Sequence, residues 1–90
     1  MDPAMPDINV SDVVVSVAGR DQGEWFYVVA QDQTYLFLAN GKDRTLEKPK
    51  RKKKMHVQPT TYIVESVAEK LQQGGYVLDA EIKKALKKYQ

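Results

Sequence analysis

Apolar and polar positions alternate along the first half of the chain and change to a helical spacing in the last third. From Val10 to Ala18, Val13, Val15 and Val17 fall on one face and Val14, Ser16 and Ala18 on the other, which predicts a strand apolar on both sides. Ala18-Gly19-Arg20-Asp21-Gln22-Gly23 interrupts it, and Gly19 and Gly23 around polar residues predict a turn with positive φ at one of them. Glu24 to Ala30 predicts a second strand, with Phe26 and Val28 opposite Trp25, Tyr27 and Val29. After a hairpin-like Gln31-Asp32-Gln33, Thr34 to Ala39 predicts a third, with Leu36 and Leu38 opposite Tyr35 and Phe37. Asn40-Gly41 is the strongest two-residue turn signal in the chain.

Lys42 to Lys52 is polar, with Leu46 as its single apolar anchor and Pro49 pointing to an edge or a loop. Lys53 to Gln58 predicts a further strand, Met55 and Val57 inward and Lys54 and His56 outward, ended by Pro59. Beyond it Val64, Val67, Ala68 and Leu71 form the stripe of an amphipathic helix, capped by Thr60 or Thr61 and stopped by Gly74-Gly75. Asp79 predicts the N-cap of a second helix, whose stripe is Ile82, Ala85, Leu86 and Tyr89. Lys83, Lys84, Lys87 and Lys88 lie off that stripe and suit the negative end of the helix dipole. Two prolines and two acids make residues 1–9 a loose tail.

Ninety residues, 42% apolar and 29% charged, fit one small folded domain. The absence of cysteine removes disulfides, thiolate nucleophiles and thiolate metal sites, and fits a cytoplasmic setting. No apolar run approaches the ~18–20 residues of a membrane span, and the acidic start lacks an apolar signal core, so no membrane partner is expected.

The net charge of +2 hides a strong asymmetry. Residues 1–41 carry Arg20 against six acids, a net of −5; residues 42–54 carry eight bases against Asp43 and Glu47, a net of +6. Within the latter, Lys50-Arg51-Lys52-Lys53-Lys54 places like charges side by side. At about 7 Å each same-face pair costs roughly 0.6 kcal/mol in water before screening, which phosphates would relieve. A polyanion site is the leading reading, through Lys42, Arg44, Lys48, Lys50, Arg51, Lys52, Lys53, Lys54 and His56. Arg51 can grip a phosphate bidentately, as lysine cannot. A solvated loop tip and, in a eukaryote, a nuclear import signal over Pro49 to Lys54 are the competing readings.

Enzymatic chemistry is disfavoured. His56 is the sole histidine, Ser11, Ser16 and Ser66 have no evident base, and no nucleotide-binding glycine loop occurs, so neither catalytic residues, a metal nor a cofactor is expected. Of the aromatics, most are read as core; Trp25 and Tyr35 are the best candidates to face outward and stack on bases.

Val13-Val14-Val15-Ser16-Val17-Ala18-Gly19-Arg20-Asp21-Gln22-Gly23 resembles the KOW motif of several ribosomal proteins and NusG-type transcription factors. With Leu36 to Gly41, Leu46 to Lys53, His56 to Pro59 and Asp79 to Leu86, the chain is similar over about residues 10–88 to bacterial KOW-domain RNA-binding proteins related to the archaeal and eukaryotic large-subunit ribosomal protein fourteen-e. The resemblance implies an SH3-like β-barrel, RNA rather than DNA as ligand, and Arg20 as a further RNA contact. The acids crowding the first half weaken any expectation that the whole barrel surface binds RNA.

The expectation is therefore a mainly β protein. An SH3-like barrel spans residues 8–58, with Gly19, Gly23, Asn40 and Gly41 as structural turns and a basic loop over 42–54 that stays mobile until RNA binds. A two-helix appendage follows over 59–90. The expected partners are RNA, in particular ribosomal RNA, and ribosomal proteins; the alternative is a protein adaptor using the barrel or the helices.

Overall fold

The computed structural model describes residues 8–64, 69–70, 74 and 77–89. Five antiparallel strands form one sheet in the order β4-β3-β2-β1-β5: β1 Asp12–Ser16, β2 Trp25–Gln31, β3 Tyr35–Ala39, β4 Lys50–Lys53 and β5 Val57–Ile63. A 3-10 turn, Lys54–His56, joins β4 to β5, and the helix α1 (Asp79–Lys87) lies further along the described residues. Where a closed barrel was expected, the sheet is open, with β4 and β5 as its edges.

The alternation through β1 to β3 accounts for two cores, one on each face of the sheet. Val14, Phe26, Val28, Leu36, Leu38 and Val57 fill the inner face together with Ile8. Ile8 is thus core, not loose tail; residues 1–7 lie outside the described residues. Val13 and Tyr27, paired across β1 and β2, fill the outer face with Val64, Ile82 and Leu86. Both faces are occupied because α1 covers one and the curl of the sheet encloses the other. Among the described residues, burying thirteen apolar side chains to below a tenth of their surface supplies a main driving force, roughly 1.5–3 kcal/mol for each large one before chain entropy is charged against it.

Several boundaries differ from expectation for identifiable reasons. Pro59 does not end a strand. It lies inside β5, opposite Val14, which a proline tolerates because β5 is an edge strand. Thr60 and Thr61 are strand residues rather than helix caps, and Thr60 Oγ1 donates to the Val13 carbonyl at 2.7 Å. Lys54 to His56 form the 3-10 turn rather than strand, and this swings Met55 outward to 71% exposure, the opposite of the expected inward position. Of the two helices expected, α1 is described; Val67, Ala68 and Leu71 lie outside the described residues. Glu69 and Lys70 are helical, and Lys70 Nζ pairs with Glu81 of α1.

Asp79 opens α1 without capping it. Leu78 occupies the N-cap with no side-chain bond, and Asp79 Oδ1 instead accepts from Leu46 N at 2.8 Å. That bond fastens α1 to the loop after β3. The expected stripe holds: Ile82 and Leu86 are buried, and Ala85 and Tyr89 pack beside them. Tyr89 stacks on Tyr62 (centroids 4.2 Å apart) and on Trp25 (6.0 Å), so Trp25 is committed to helix docking.

Asn40-Gly41 begins a longer loop rather than a two-residue hairpin, because Asn40 organises the backbone after it. Its Oδ1 accepts from Lys42 N and Arg44 N, and its Nδ2 donates to Asp43. Gly41 has φ of 79°, and a Cβ there would stand 2.3 Å from the Asp79 carbonyl oxygen. Only glycine lets the loop approach the start of α1 this closely.

Candidate functional site

The basic run becomes an ordered edge strand. Lys50, Arg51, Lys52 and Lys53 pair in register with Leu38, Phe37, Leu36 and Tyr35 of β3. Of the loop expected across 42–54, residues 42–49 carry no strand, but Lys50–Lys53 do: four positions of β3 template four consecutive cationic residues into a strand, and alternation then divides them between two faces.

Lys50 and Lys52 share the inner face with Leu38 and Leu36. Lys52 Nζ reaches Asp21 Oδ1 at 2.7 Å and the Ala18 carbonyl at 2.7 Å, and the side chains of both Lys52 and Asp21 are 8% exposed. Lys50 Nζ meets Asp21 Oδ2 at 2.6 Å as a close ion pair without a directed hydrogen bond. Ser16 Oγ donates to Asp21 Oδ1 at 2.7 Å. Burial alone would raise the Asp21 pKa. The two ammonium groups and the Ser16 hydroxyl outweigh it and hold the carboxyl well below the usual carboxylate range. The consequence is structural: the turn after β1, with Gly19 at φ of 85°, is stapled to β4 across 31 positions of sequence.

Lys52 is thereby withdrawn from the set of free cations, and Lys50 is half withdrawn. Arg51 and Lys53, one residue out of phase, are exposed on the outer face. The Arg51 guanidinium lies 4.4 Å from the centroid of the Tyr35 ring. Tyr35 is held at the start of β3 by Asp32, whose Oδ1 accepts from Thr34 N and Tyr35 N. Those backbone bonds lower the Asp32 pKa. Lys54 continues from β4 into the 3-10 turn, its N–H donating to the Thr34 carbonyl at 3.0 Å. His56 is half-buried there, and its carbonyl accepts from Val17 N.

The remaining candidates frame this strand. Arg20 is exposed in the turn that Asp21 staples to β4. Lys42, Arg44 and Lys48 are exposed along the loop after β3, with Lys48 N bonded to Thr45 Oγ1. Hydrogen bonds from Asn40, chiefly, lower the pKa of Asp43 beside them.

Two features escaped sequence reasoning. Asp21, one of the acids crowding the first half, is the counter-ion of the basic strand. Lys83 and Lys87 of α1 line, with Lys42, Asp43, Glu24 and Trp25, a cleft of about 270 Å³, so part of the helix charge adjoins the loop charge. A non-local pairing left no local signal for either. Among the described residues, no helix is long and apolar enough to cross a membrane.

The exposed cations of this arrangement can bind and orient an anionic backbone. No family model matches the chain, and no curated protein matches it.

Proposed function

We propose that this chain is a non-enzymatic, cytoplasmic RNA-binding protein of the KOW type. In this reading its open sheet is a variant of the SH3-like barrel, and it grips the phosphate backbone of structured, in particular ribosomal, RNA. The observation that carries the reading is the outer face of β4, where Arg51 and Lys53 project from an ordered edge strand with Lys54 following. Fixed cations lose little conformational entropy when phosphates neutralise them. Arg20, Lys42, Arg44 and Lys48 extend the field on both sides. The SH3-like assignment is supported by the meander of β1 to β4 with β5 returning beside β1, and by Lys52 reaching the Ala18 carbonyl across the curl.

The test is a triple substitution, Arg51→Ser, Lys53→Ser and Lys54→Ser, assayed by fluorescence anisotropy with a folded ribosomal RNA fragment. Loss of about two to three phosphate contacts should weaken binding by at least tenfold at 100 mM salt and reduce the salt slope by about 0.7–0.9 for each contact. Retained affinity, with the urea midpoint unchanged, would sink the assignment.

A further inference from the structure

We infer that Arg51 and Tyr35 form a stacking platform for an unpaired base, so that the preferred ligand is RNA in which a single-stranded nucleotide interrupts a duplex. This rests on the RNA-binding reading above and sharpens its ligand class. In the register of β3 and β4, Tyr35 faces Lys53 and Phe37 faces Arg51, so these four side chains share the outer face. The guanidinium of Arg51 lies over the Tyr35 ring at 4.4 Å, inside the ~6 Å range of a cation–π contact. Arg51 nonetheless remains exposed. Its Cζ sits over the ring while the residue stays open to solvent, where a ligand can reach it.

A phosphate contact does not require this arrangement. Phosphate is satisfied by a charge or by the edge of the guanidinium fork, and an arginine free to rotate serves as well. A guanidinium seated over an aromatic ring can instead extend the ring's stacking surface, on which an unstacked base packs. The neighbours fit that use. Lys53, directly opposite Tyr35, supplies a cation for the phosphate flanking the base, and the Asp32 bonds to the Thr34 and Tyr35 amides fix the ring's backbone. Trp25, the other aromatic expected to face a base, is engaged with Tyr62 and Tyr89 and is not offered. A base-paired helix keeps its bases stacked inward and gains nothing from such a plane, so the platform selects bulges, loops and junctions.

The experiment compares two RNAs of equal duplex length, a blunt duplex and the same duplex with a three-adenosine bulge, by fluorescence anisotropy. The wild-type protein should favour the bulged RNA roughly tenfold, the range expected for stacking of one base. Arg51→Lys keeps the charge and loses the plane; Tyr35→Leu removes the support beneath it. Each should bring the ratio of the two affinities to about one. The inference is overturned if the wild type shows no preference, or if Arg51→Lys retains it. Failure of the underlying reading looks different: neither RNA binds the wild type at low salt.

Discussion

Replacing Asp21 by alanine removes the counter-ion of two lysines in one step. Lys52, 8% exposed, keeps only the Ala18 carbonyl as a partner for its ammonium. Breaking a buried ion pair from one side costs about 3–5 kcal/mol, because an uncompensated charge stays behind. Lys50 is 27% exposed and can turn to water, so its share is small. A chain of this length has a total stability of roughly 5–13 kcal/mol, so the variant loses a large fraction of it. At about 4–8 °C per kcal/mol for a domain of this size, Tm should fall by at least ~12 °C. Urea unfolding followed by the fluorescence of Trp25, the single tryptophan, measures the change. The double substitution Asp21→Ala with Lys52→Met removes the stranded charge and keeps the aliphatic bulk, and should recover most of the loss. A single variant within about 1 kcal/mol of wild type, or a double variant no better than the single, would refute the staple.

Three further outcomes follow from the same geometry. The depressed Asp21 pKa means that its contribution is fully present above the unfolded value of about 3.9 and is lost as pH falls below it; acid unfolding below that pH should be steeper in wild type than in Asp21→Asn, and equal slopes would contradict the linkage. Gly41→Ala puts a Cβ against the Asp79 carbonyl at positive φ and should cost at least about 2 kcal/mol with a red-shifted Trp25 emission; coincident urea curves would show that the loop does not clamp α1. Tyr89→Ala removes the rings' contact with Tyr62 and Trp25 and should cost about 1–3 kcal/mol, again with a Trp25 red shift; an unshifted emission would count against the docking.

The strands were legible because their cause is local. Alternation of Val13 with Val14, Phe26 with Tyr27 and Leu36 with Tyr35 assigns faces directly, and both faces proved apolar for the reason the pattern suggests. The stripe of α1 was equally plain in Ile82 and Leu86. What could not be seen was pairing over distance. Lysines weigh against a strand when taken alone, yet β3 supplies Lys50–Lys53 with a register, and the register decides which cations are free. Asp21 lies 31 positions before Lys52 in sequence, and no local signal marks it as the partner that turns Lys50 and Lys52 inward. The Asn40 side chain likewise replaced the expected hairpin by binding the Lys42 and Arg44 amides. Met55 departs from the alternation for the opposite reason: the chain tightens into a 3-10 turn at Lys54–His56, where a period of two no longer holds. The outcome for the site is a division of the basic run. Lys52, and in part Lys50, are tied to Asp21 within the fold; Arg51 and Lys53 stay exposed, with Lys54 half-buried beyond them.

The salt dependence of RNA binding by the intact chain tests the central claim most directly. With about four to six phosphates neutralised by Arg51, Lys53 and Lys54 together with the flanking Arg20, Lys42, Arg44 and Lys48, the logarithm of the association constant should fall with the logarithm of salt concentration at a slope between about −3 and −5. A slope near zero, or no complex with structured RNA at 50 mM salt, would contradict the account.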